Sequence, residues 1–255
     1  MIKLKFHRIK KTRLFIMGFI YFPLFGFAQK EYMEDYFESA ISYYKQGNID
    51  SAWLCLGYVV DHFPDSWELL KDTDLHPFYN TEKWKIIEQK AIKNFYEVYK
   101  CENQELALEL LLMGQKDQQW RKKLDDYEMG SEEYDEVWEN MKVQDIANLA
   151  RIEAVFHEYG YPTKELVGST AFPIPMLIIH HSNCEKIKIY YPLIKKAVKK
   201  KGGALFFMFY EDRYLGCKGK KQKYGTQSSY NGETGKAERL PVQKRTLRKN
   251  ENFNL

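Results

Sequence analysis

Asp212 and Arg213 stand next to each other in an aromatic segment, and a second polar group, Tyr224, Thr226 and Gln227, follows after a short connection. Together these side chains supply a carboxylate, a guanidinium, a phenol, a hydroxyl and an amide. A carboxylate can act as a base or accept hydrogen bonds, and a guanidinium can hold an anionic group. We predict that these residues line a cleft that recognises a polar ligand. The alternative is a buried network of ion pairs that only fixes the local structure.

Two adjacent histidines, His180 and His181, follow the apolar residues 176–179. A helix C-terminus favours a positively charged group, so a histidine there is a candidate for proton transfer. The competing interpretation is that both rings cap carbonyl groups or form hydrogen bonds in the core. Adjacent side chains point to different faces of a helix, which is a weak signal for a metal site. We therefore predict no metal ligand set and no cofactor.

The elements that must position these residues are mostly helices, because apolar residues recur at helical spacing along most of the chain. Gly47 and Asn48 interrupt the first such region and predict a helical hairpin, and Gly160 and Pro162 end a later helix. The predicted helical regions are 32–63, 81–99, 105–127, 145–159, a short helix that ends near His181, and a helix that ends near Lys201.

The pattern changes after Gly202 and Gly203. The aromatic residues from Ala204 to Tyr214 predict a strand, which returns through residues 222–227 as a β-hairpin. The predicted fold class is therefore mostly α (α+β), with a helical N-terminal hairpin followed by a helical domain that carries a small antiparallel β-hairpin.

Polar residues scattered from about residue 105 to residue 227 resemble a bacterial family called domain of unknown function 6624. The positions that carry the resemblance are Asp117, Gln118, Arg121, Asp145, Asn148, Gly160, Pro162, Gly168, His181, Asp212, Arg213, Gln222, Tyr224, Gly225, Thr226 and Gln227. The resemblance implies one polar constellation drawn from distant segments, made of Asp117, Arg121, Asn148, His181, Asp212, Arg213, Tyr224 and Gln227. This chain has Asn183 where the family usually has an aspartate, and the family has no established activity.

Two functions remain open for this constellation. We favour a non-catalytic binding module of the cell envelope, whose partner is a peptide, a glycan or another protein. The alternative is a hydrolase in which Asp212 or Asp117 is the base, His181 transfers the proton and Arg213 holds the substrate. The sequence has no nucleophile elbow, zinc-protease helix, phosphate loop or dinucleotide fingerprint, so no recognised motif supports an enzyme.

Residues 1–28 are typical of a secretory signal peptide, because six basic residues precede an apolar run from Leu14 to Ala28. Gly26 and Ala28 supply the small residues that signal peptidase accepts. We predict cleavage between Ala28 and Gln29, export to the periplasm or beyond, and no stable membrane span afterwards. A membrane anchor is the alternative, although the run is shorter than the ~20 residues that a span requires.

The predicted signal peptide changes how the charge and the cysteine content of the chain are interpreted. Six of the 39 basic residues but none of the 35 acidic residues lie in the predicted signal peptide, so the remaining chain is close to neutral and we predict no nucleic-acid partner. The 4 cysteines all follow the predicted cleavage point and would enter an oxidising compartment. The sequence alone cannot choose among the three possible ways to pair them fully.

The predicted organisation has four parts: a signal peptide at 1–28, a helical tetratricopeptide-like region at 29–100, an α+β domain that resembles domain of unknown function 6624 at 101–227, and a flexible polar tail at 228–255. The small residues Ala40, Gly47 and Ala52 suggest the repeat. A single repeat cannot bury its own apolar face. We therefore predict that the hairpin is a cap on the main domain and not a peptide-binding solenoid.

Overall fold

The structure is a computed structural model that describes residues 24–201, 204–231 and 236–243. Within these residues the helices are α1 (Leu24–Lys45), α2 (Ile49–His62), α3 (Glu82–Val98), α4 (Gln104–Leu124), α5 (Glu132–Tyr159), α6 (Lys164–Ala171), α7 (Ile174–His181), α8 (Cys184–Lys201) and α9 (Ala204–Cys217), with short 3-10 helices at Ser66–Lys71 and Thr73–Phe78. The strands β1 (Ser228–Asn231) and β2 (Lys236–Arg239) form one antiparallel sheet. The predicted fold class, mostly helical with a small antiparallel sheet, is confirmed.

The N-terminal hairpin consists of α1 and α2, joined by a tight turn. Gly47 adopts a φ of 77° in this turn, and the side chain of Asn48 accepts a hydrogen bond from the backbone N–H of Ser51 at 3.3 Å, which caps α2. Tyr36 of α1 stacks on Tyr58 of α2 with ring centroids 4.2 Å apart. The predicted helical hairpin is therefore present, but its likeness to a tetratricopeptide repeat is not confirmed.

One continuous apolar core connects this hairpin to the remaining helices. It includes Leu56 of α2, Phe95 of α3, Leu110 of α4 and Ile179 of α7. Polar contacts add to the connection, since the side-chain amide of Asn94 donates to the carbonyl of Val60 at 2.6 Å. Helices α4, α5 and α7 thus rest on a packed base, which holds their polar faces in place.

Gly168 allows a close approach between two elements. It has a φ of 76° and a ψ of 164° and kinks α6. A Cβ atom built at this position would lie 2.6 Å from the hydroxyl oxygen of Tyr99, so no other residue fits without displacement. The same hydroxyl donates to the carbonyl of Val167 at 3.1 Å and accepts from the N–H of Ala171 at 3.2 Å. The kink leads the chain into α7.

The strand predicted for residues 204–214 is wrong, because this segment forms α9. Phe207, Tyr210 and Tyr214 lie three and four positions apart and so occupy one face of the helix. That face packs on Tyr191 of α8, whose ring lies 3.5 Å from the ring of Tyr214, while the buried hydroxyl of Tyr210 donates to the carbonyl of Ile187 at 3.1 Å. Packing of an aromatic helical face outweighs the strand preference of aromatic residues.

The β-hairpin lies further along the chain than predicted. Its strands pair Ser228 with Arg239 and Asn231 with Lys236, in the segment that the sequence predicts as the start of a flexible polar tail. Gln222 hydrogen-bonds to the chain on both sides of the hairpin, while the predicted flexibility of the tail stays a prediction. Residues 232–235 and 244–255 of the predicted tail lie outside the described residues.

One disulfide joins Cys184 to Cys217, with a Cα–Cα distance of 5.3 Å, while Cys55 and Cys101 are free. This pairing was one of those left open by the sequence. It connects the start of α8 to the end of α9 and so fixes the position of α9 against the neighbouring helices. Among helices in the described ranges, none is long and apolar enough to cross a membrane.

Candidate functional site

A group of charged and polar side chains from α4, α5, α7 and α9 forms what we call the polar cluster: Asp117, Arg121, Asp145, Asn148, His181 and Arg213. Asp117 and Arg121 are one helical turn apart on α4, and Asp145 and Asn148 are one turn apart on α5, so each pair shares a face. His181 is the last residue of α7. The cluster thus collects residues that are up to 96 positions apart in the sequence, as Asp117 and Arg213 show.

Asp117 is the buried centre of the polar cluster, with only 1% of its side chain exposed. Its carboxylate accepts hydrogen bonds from Nε2 of Gln118 at 2.7 Å and Nη1 of Arg121 at 3.0 Å. Nδ1 of His181 lies 3.0 Å from Oδ2. Because a carboxylate only accepts, Nδ1 carries the hydrogen in this contact, and in the neutral ring the lone pair is then on Nε2.

Arg121 connects Asp117 to Asp145 on the neighbouring helix. Its Nη2 donates to both carboxylate oxygens of Asp145, at 2.9 and 2.8 Å, and its Nη1 also donates to the backbone carbonyl of Asp117 at 2.9 Å. Burial raises the pKa of Asp145, and the hydrogen bond and charge of Arg121 only partly offset this effect. The positive charge of Arg121 is therefore balanced by two carboxylates.

Arg213 is half-buried on α9 and has no such balance. Among the described residues, its Nη2 donates to the backbone carbonyl of Ser182 at 3.4 Å, and its buried Nε has no hydrogen-bond partner. Within residues 24–201, 204–231 and 236–243, no carboxylate oxygen forms an ion pair with it. Burial lowers the pKa of this guanidinium, and the charge of Arg121 lowers it further. A guanidinium still keeps its proton at neutral pH, so Arg213 is a partly buried charge without a counter-ion among these residues.

Two more buried nitrogen atoms around the cluster have no partner in the part of the chain that the structure describes, Nδ2 of Asn148 and Nδ1 of His180. The carbonyl of Asn148 is satisfied, because it accepts from Nε2 of Gln144 at 2.7 Å. Burial lowers the pKa of His180 to about 3, and the charges of His181, Arg213 and Arg121 act in the same direction. Each unsatisfied buried polar group costs about 1–3 kcal/mol, so a ligand that gave Nε of Arg213 or Nδ1 of His180 a hydrogen-bond partner would recover part of this cost.

Asp212, which the sequence predicts as a catalytic base, is fully buried and holds a loop. It accepts hydrogen bonds from the N–H groups of Lys223, Tyr224 and Thr226, at 2.6, 3.0 and 3.0 Å, and from the Thr226 hydroxyl at 2.9 Å. Burial alone would raise the pKa of Asp212, but these hydrogen bonds outweigh burial and lower it. The catalytic role of Asp212 stays a prediction, and its oxygens are occupied by the loop.

The other residues predicted to bind a ligand near Asp212 form the same loop. The side chain of Gln222 donates to the carbonyl of Gln227 at 2.9 Å and accepts from its N–H at 2.8 Å, while the Gln227 amide donates to the carbonyl of Phe209 at 3.4 Å. The ring of Tyr224 is 39% exposed, and Nζ of Lys223 lies 4.8 Å from its centroid. As predicted, Asp212 lies close to residues 224–227. It contacts mainly their backbone N–H groups and, among their side chains, the Thr226 hydroxyl.

The structure divides the predicted constellation into two groups. Arg121 and His181 both contact Asp117, and the charge of Arg213 acts on Arg121 and His180. The contacts of Asp212, in contrast, all lead to the 222–227 loop. The predicted set omitted Asp145, although its spacing from Asn148 on one helix face was a usable signal. No group of three or more His, Cys, Asp or Glu residues in the described ranges is placed to hold a metal ion.

A shallow apolar groove of about 400 Å³ lies elsewhere, between α2 and α3. Trp53, Leu54 and Ile86 line it, and Lys83 lies over the ring of Trp53 at 5.8 Å. The groove shares no residue with the polar cluster. It offers few groups with acid–base or anion-binding chemistry, so the polar cluster is the better candidate for a functional site.

Comparison with known proteins gives one match. The model of a family of unknown function, DUF6624, matches residues 104–234, which is just over half of the chain. The polar cluster and the loop held by Asp212 both lie within the matched residues. No curated protein and no solved structure matches the chain.

Proposed function

The chain belongs to the family of unknown function DUF6624, and from this premise we propose that it is an exported protein that binds an anionic group of its ligand at the polar cluster. The observation that supports the proposal most strongly is the partly buried charge of Arg213, which has no carboxylate partner in the described ranges. The ligand class is a peptide, glycan or envelope protein that carries a carboxylate or a phosphate.

The two arginines of the polar cluster differ in their charge balance. Asp117 and Asp145 pair with Arg121, whereas the hydrogen bond of Arg213 within the described ranges goes to a backbone carbonyl. Removing a charge from water without a partner costs several kcal/mol. A carboxylate or phosphate that accepted hydrogen bonds from Nε and Nη2 of Arg213 would offset this cost, because the guanidinium presents two parallel donors.

The cluster is also accessible to a ligand. The side chains of Arg121 and Asp145 are each 23% exposed and that of His181 is 17% exposed, while Asp117 below them is only 1% exposed. Solvent thus reaches the outer residues but not the buried carboxylate. Such an arrangement suits a ligand that enters from one side.

Two observations support export. The N-terminal sequence has the basic and apolar regions of a signal peptide, and the disulfide between Cys184 and Cys217 is of a kind that persists in oxidising compartments. Residues 1–23 lie outside the described residues. Helix α1 begins at Leu24 and continues through the proposed cleavage point after Ala28, so cleavage would remove only the first residues of this helix.

Titration of the purified protein with acetate and, separately, with inorganic phosphate tests the proposed binding. Nuclear magnetic resonance of the arginine Nε–H signals should show that the Arg213 signal shifts and saturates. Arg213→Gln should abolish binding, whereas Arg151→Gln should retain it, because Arg151 pairs with Glu109 outside the cluster. A response to acetate alone favours a carboxylate ligand, and a response to phosphate alone favours a phosphorylated one. The proposal fails if neither anion moves the Arg213 signal, or if Arg213→Gln binds as well as the wild type.

A further inference from the structure

We propose that the polar cluster also hydrolyses a carboxylic ester, with His181 as general base and Arg213 as the group that holds the negatively charged oxygen. This inference rests on the proposed function, because it assumes that Arg213 binds an anionic group. It adds a reaction and a substrate class. Acetate, the probe of anion binding, is then an analogue of the carboxylate product.

The contact between His181 and Asp117 prepares the imidazole for this role. Nδ1 of His181 lies 3.1 and 3.0 Å from the two carboxylate oxygens of Asp117. Asp117 is itself fixed by Gln118 and Arg121, so both the orientation and the tautomer of the ring are set. A carboxylate that holds one ring nitrogen leaves the other free to accept a proton, which is the arrangement found in many hydrolases.

Arg213 contacts the backbone next to His181. Its Nη2 donates to the carbonyl of Ser182, the residue that follows His181. Its buried Nε has no hydrogen-bond partner in the described part of the chain, so this N–H is not committed to another acceptor there. A hydrogen-bond donor that is already positioned where negative charge develops stabilises the transition state of acyl transfer, and this stabilisation is a large part of catalysis.

The reaction uses water as the nucleophile. Nε2 of His181 removes a proton from water as the water oxygen forms a bond to the ester carbonyl carbon, and the carbonyl π electrons move to the oxygen, which Arg213 holds. When the tetrahedral intermediate collapses, these electrons restore the carbonyl, the bond to the alcohol oxygen breaks, and the alkoxide receives the proton from His181. The products are a carboxylic acid, which ionises, and an alcohol. Asp117 acts as a positioning residue.

Hydrolysis of p-nitrophenyl acetate by the whole protein tests the proposal. Positioned general-base catalysis contributes about 10²-fold or more. We therefore expect His181→Gln to lower the second-order rate constant by about 10²-fold, and Asp117→Asn to lower it strongly because the ring loses its fixed tautomer. His157→Gln is the matched control, since His157 is exposed on α5 and outside the cluster, and it should retain the wild-type rate.

Two further measurements separate a catalytic role from a structural one. Nitrogen-15 chemical shifts of His181 in the wild-type protein should show the hydrogen on Nδ1, and a hydrogen on Nε2 in the neutral ring would overturn the proposal without any variant. Acetate titration of His181→Gln should show that Arg213 still binds. Equal hydrolysis by wild type and His181→Gln, with acetate binding intact, refutes the hydrolase alone. If the wild type does not bind acetate, the anion-binding function fails as well.

Discussion

Arg213 and Asp212 are adjacent residues with opposite surroundings. The Asp212 carboxylate receives four hydrogen bonds from one loop, whereas the Arg213 guanidinium donates to a single carbonyl among the residues that the structure describes. A saturated buried carboxylate stabilises the fold, and an unbalanced buried charge lowers the stability of the unliganded protein. This difference in hydrogen bonding distinguishes Asp212, which anchors a loop, from Arg213, which we propose as a binding group.

The anchoring role of Asp212 predicts a loss of stability in Asp212→Asn. The amide keeps the shape of the side chain but removes the charge, and it places an NH₂ group against backbone N–H donors. We expect a loss of about 3 kcal/mol, which lowers the melting temperature by roughly 6–12 °C. The matched control is Asp126→Asn at an exposed site, which should melt like the wild type. An unchanged melting temperature for Asp212→Asn would contradict the anchoring role.

His180 predicts a pH dependence of stability. Burial lowers its pKa from 6.5 to about 3 in the folded protein. Between these values the unfolded chain binds a proton that the folded chain does not, so stability should fall as the pH falls from about 6.5 towards 3. His180→Leu should make the unfolding free energy, measured in urea from pH 7 to pH 4.5, decline less steeply than in the wild type. His157→Leu, at an exposed site, should keep the wild-type slope. Parallel curves for wild type and His180→Leu would show that His180 is not buried as a neutral ring.

At the element scale, the helices with regular apolar spacing could be predicted from sequence, and α9 could not. Helices α2, α3 and α4 follow the predicted regions closely, whereas α1 begins before the predicted start at residue 32 and α5 before the predicted start at residue 145. The aromatic residues of α9 satisfy both a strand preference and a helical face, and only the partner surface on α8 decides between them. The sequence could identify Asp117, Asn148 and His181 as candidates. It could not tell that Asp212 is saturated and Arg213 is not, because that depends on how α9 packs.

The disulfide between α8 and α9 predicts a large effect of reduction. It closes a loop with a sequence separation of 33, for which loop entropy predicts about 3–4 kcal/mol of stabilisation. Reduction, or Cys184→Ser with Cys217→Ser, should lower the melting temperature by roughly 6–16 °C. Because α9 carries Arg213, anion binding should weaken as well. Cys55→Ser with Cys101→Ser is the control, and its melting temperature should respond to reduction as the wild type does. Equal melting temperatures of the oxidised and reduced protein would exclude a stabilising bridge.

At the scale of the whole molecule, one core supports an N-terminal hairpin and a C-terminal polar cluster. The core residues of the hairpin are continuous with those beneath the cluster, so the hairpin contributes to the support of the site. This arrangement agrees with the predicted cap, although the tetratricopeptide likeness remains unconfirmed. The proposal implies that the whole protein is exported and that the disulfide between Cys184 and Cys217 is formed in the exported protein.

Export predicts a defined N-terminus and location. Expressed in a bacterium with an export pathway, the protein should appear in the periplasm or the medium, and N-terminal sequencing should begin at Gln29. Ala28→Lys replaces the small residue that signal peptidase requires, so the chain of this variant should remain uncleaved. As a control, Lys30→Ala should be cleaved normally. A soluble cytoplasmic protein that retains residues 1–28 would contradict export.

The most direct test of the central claim is the melting temperature of wild type and Arg213→Met, each with and without phosphate or acetate. If Arg213 is a binding group, Arg213→Met should melt at the wild-type temperature or above it, because an unbalanced charge is removed. At ten times the dissociation constant, the anion should add about 1.4 kcal/mol to the wild type and nothing to Arg213→Met. Arg121→Met should instead melt roughly 6–20 °C lower, since it leaves two carboxylates unpaired. If Arg213→Met melts well below the wild type and responds to the anion equally, Arg213 is a structural residue and the account is wrong.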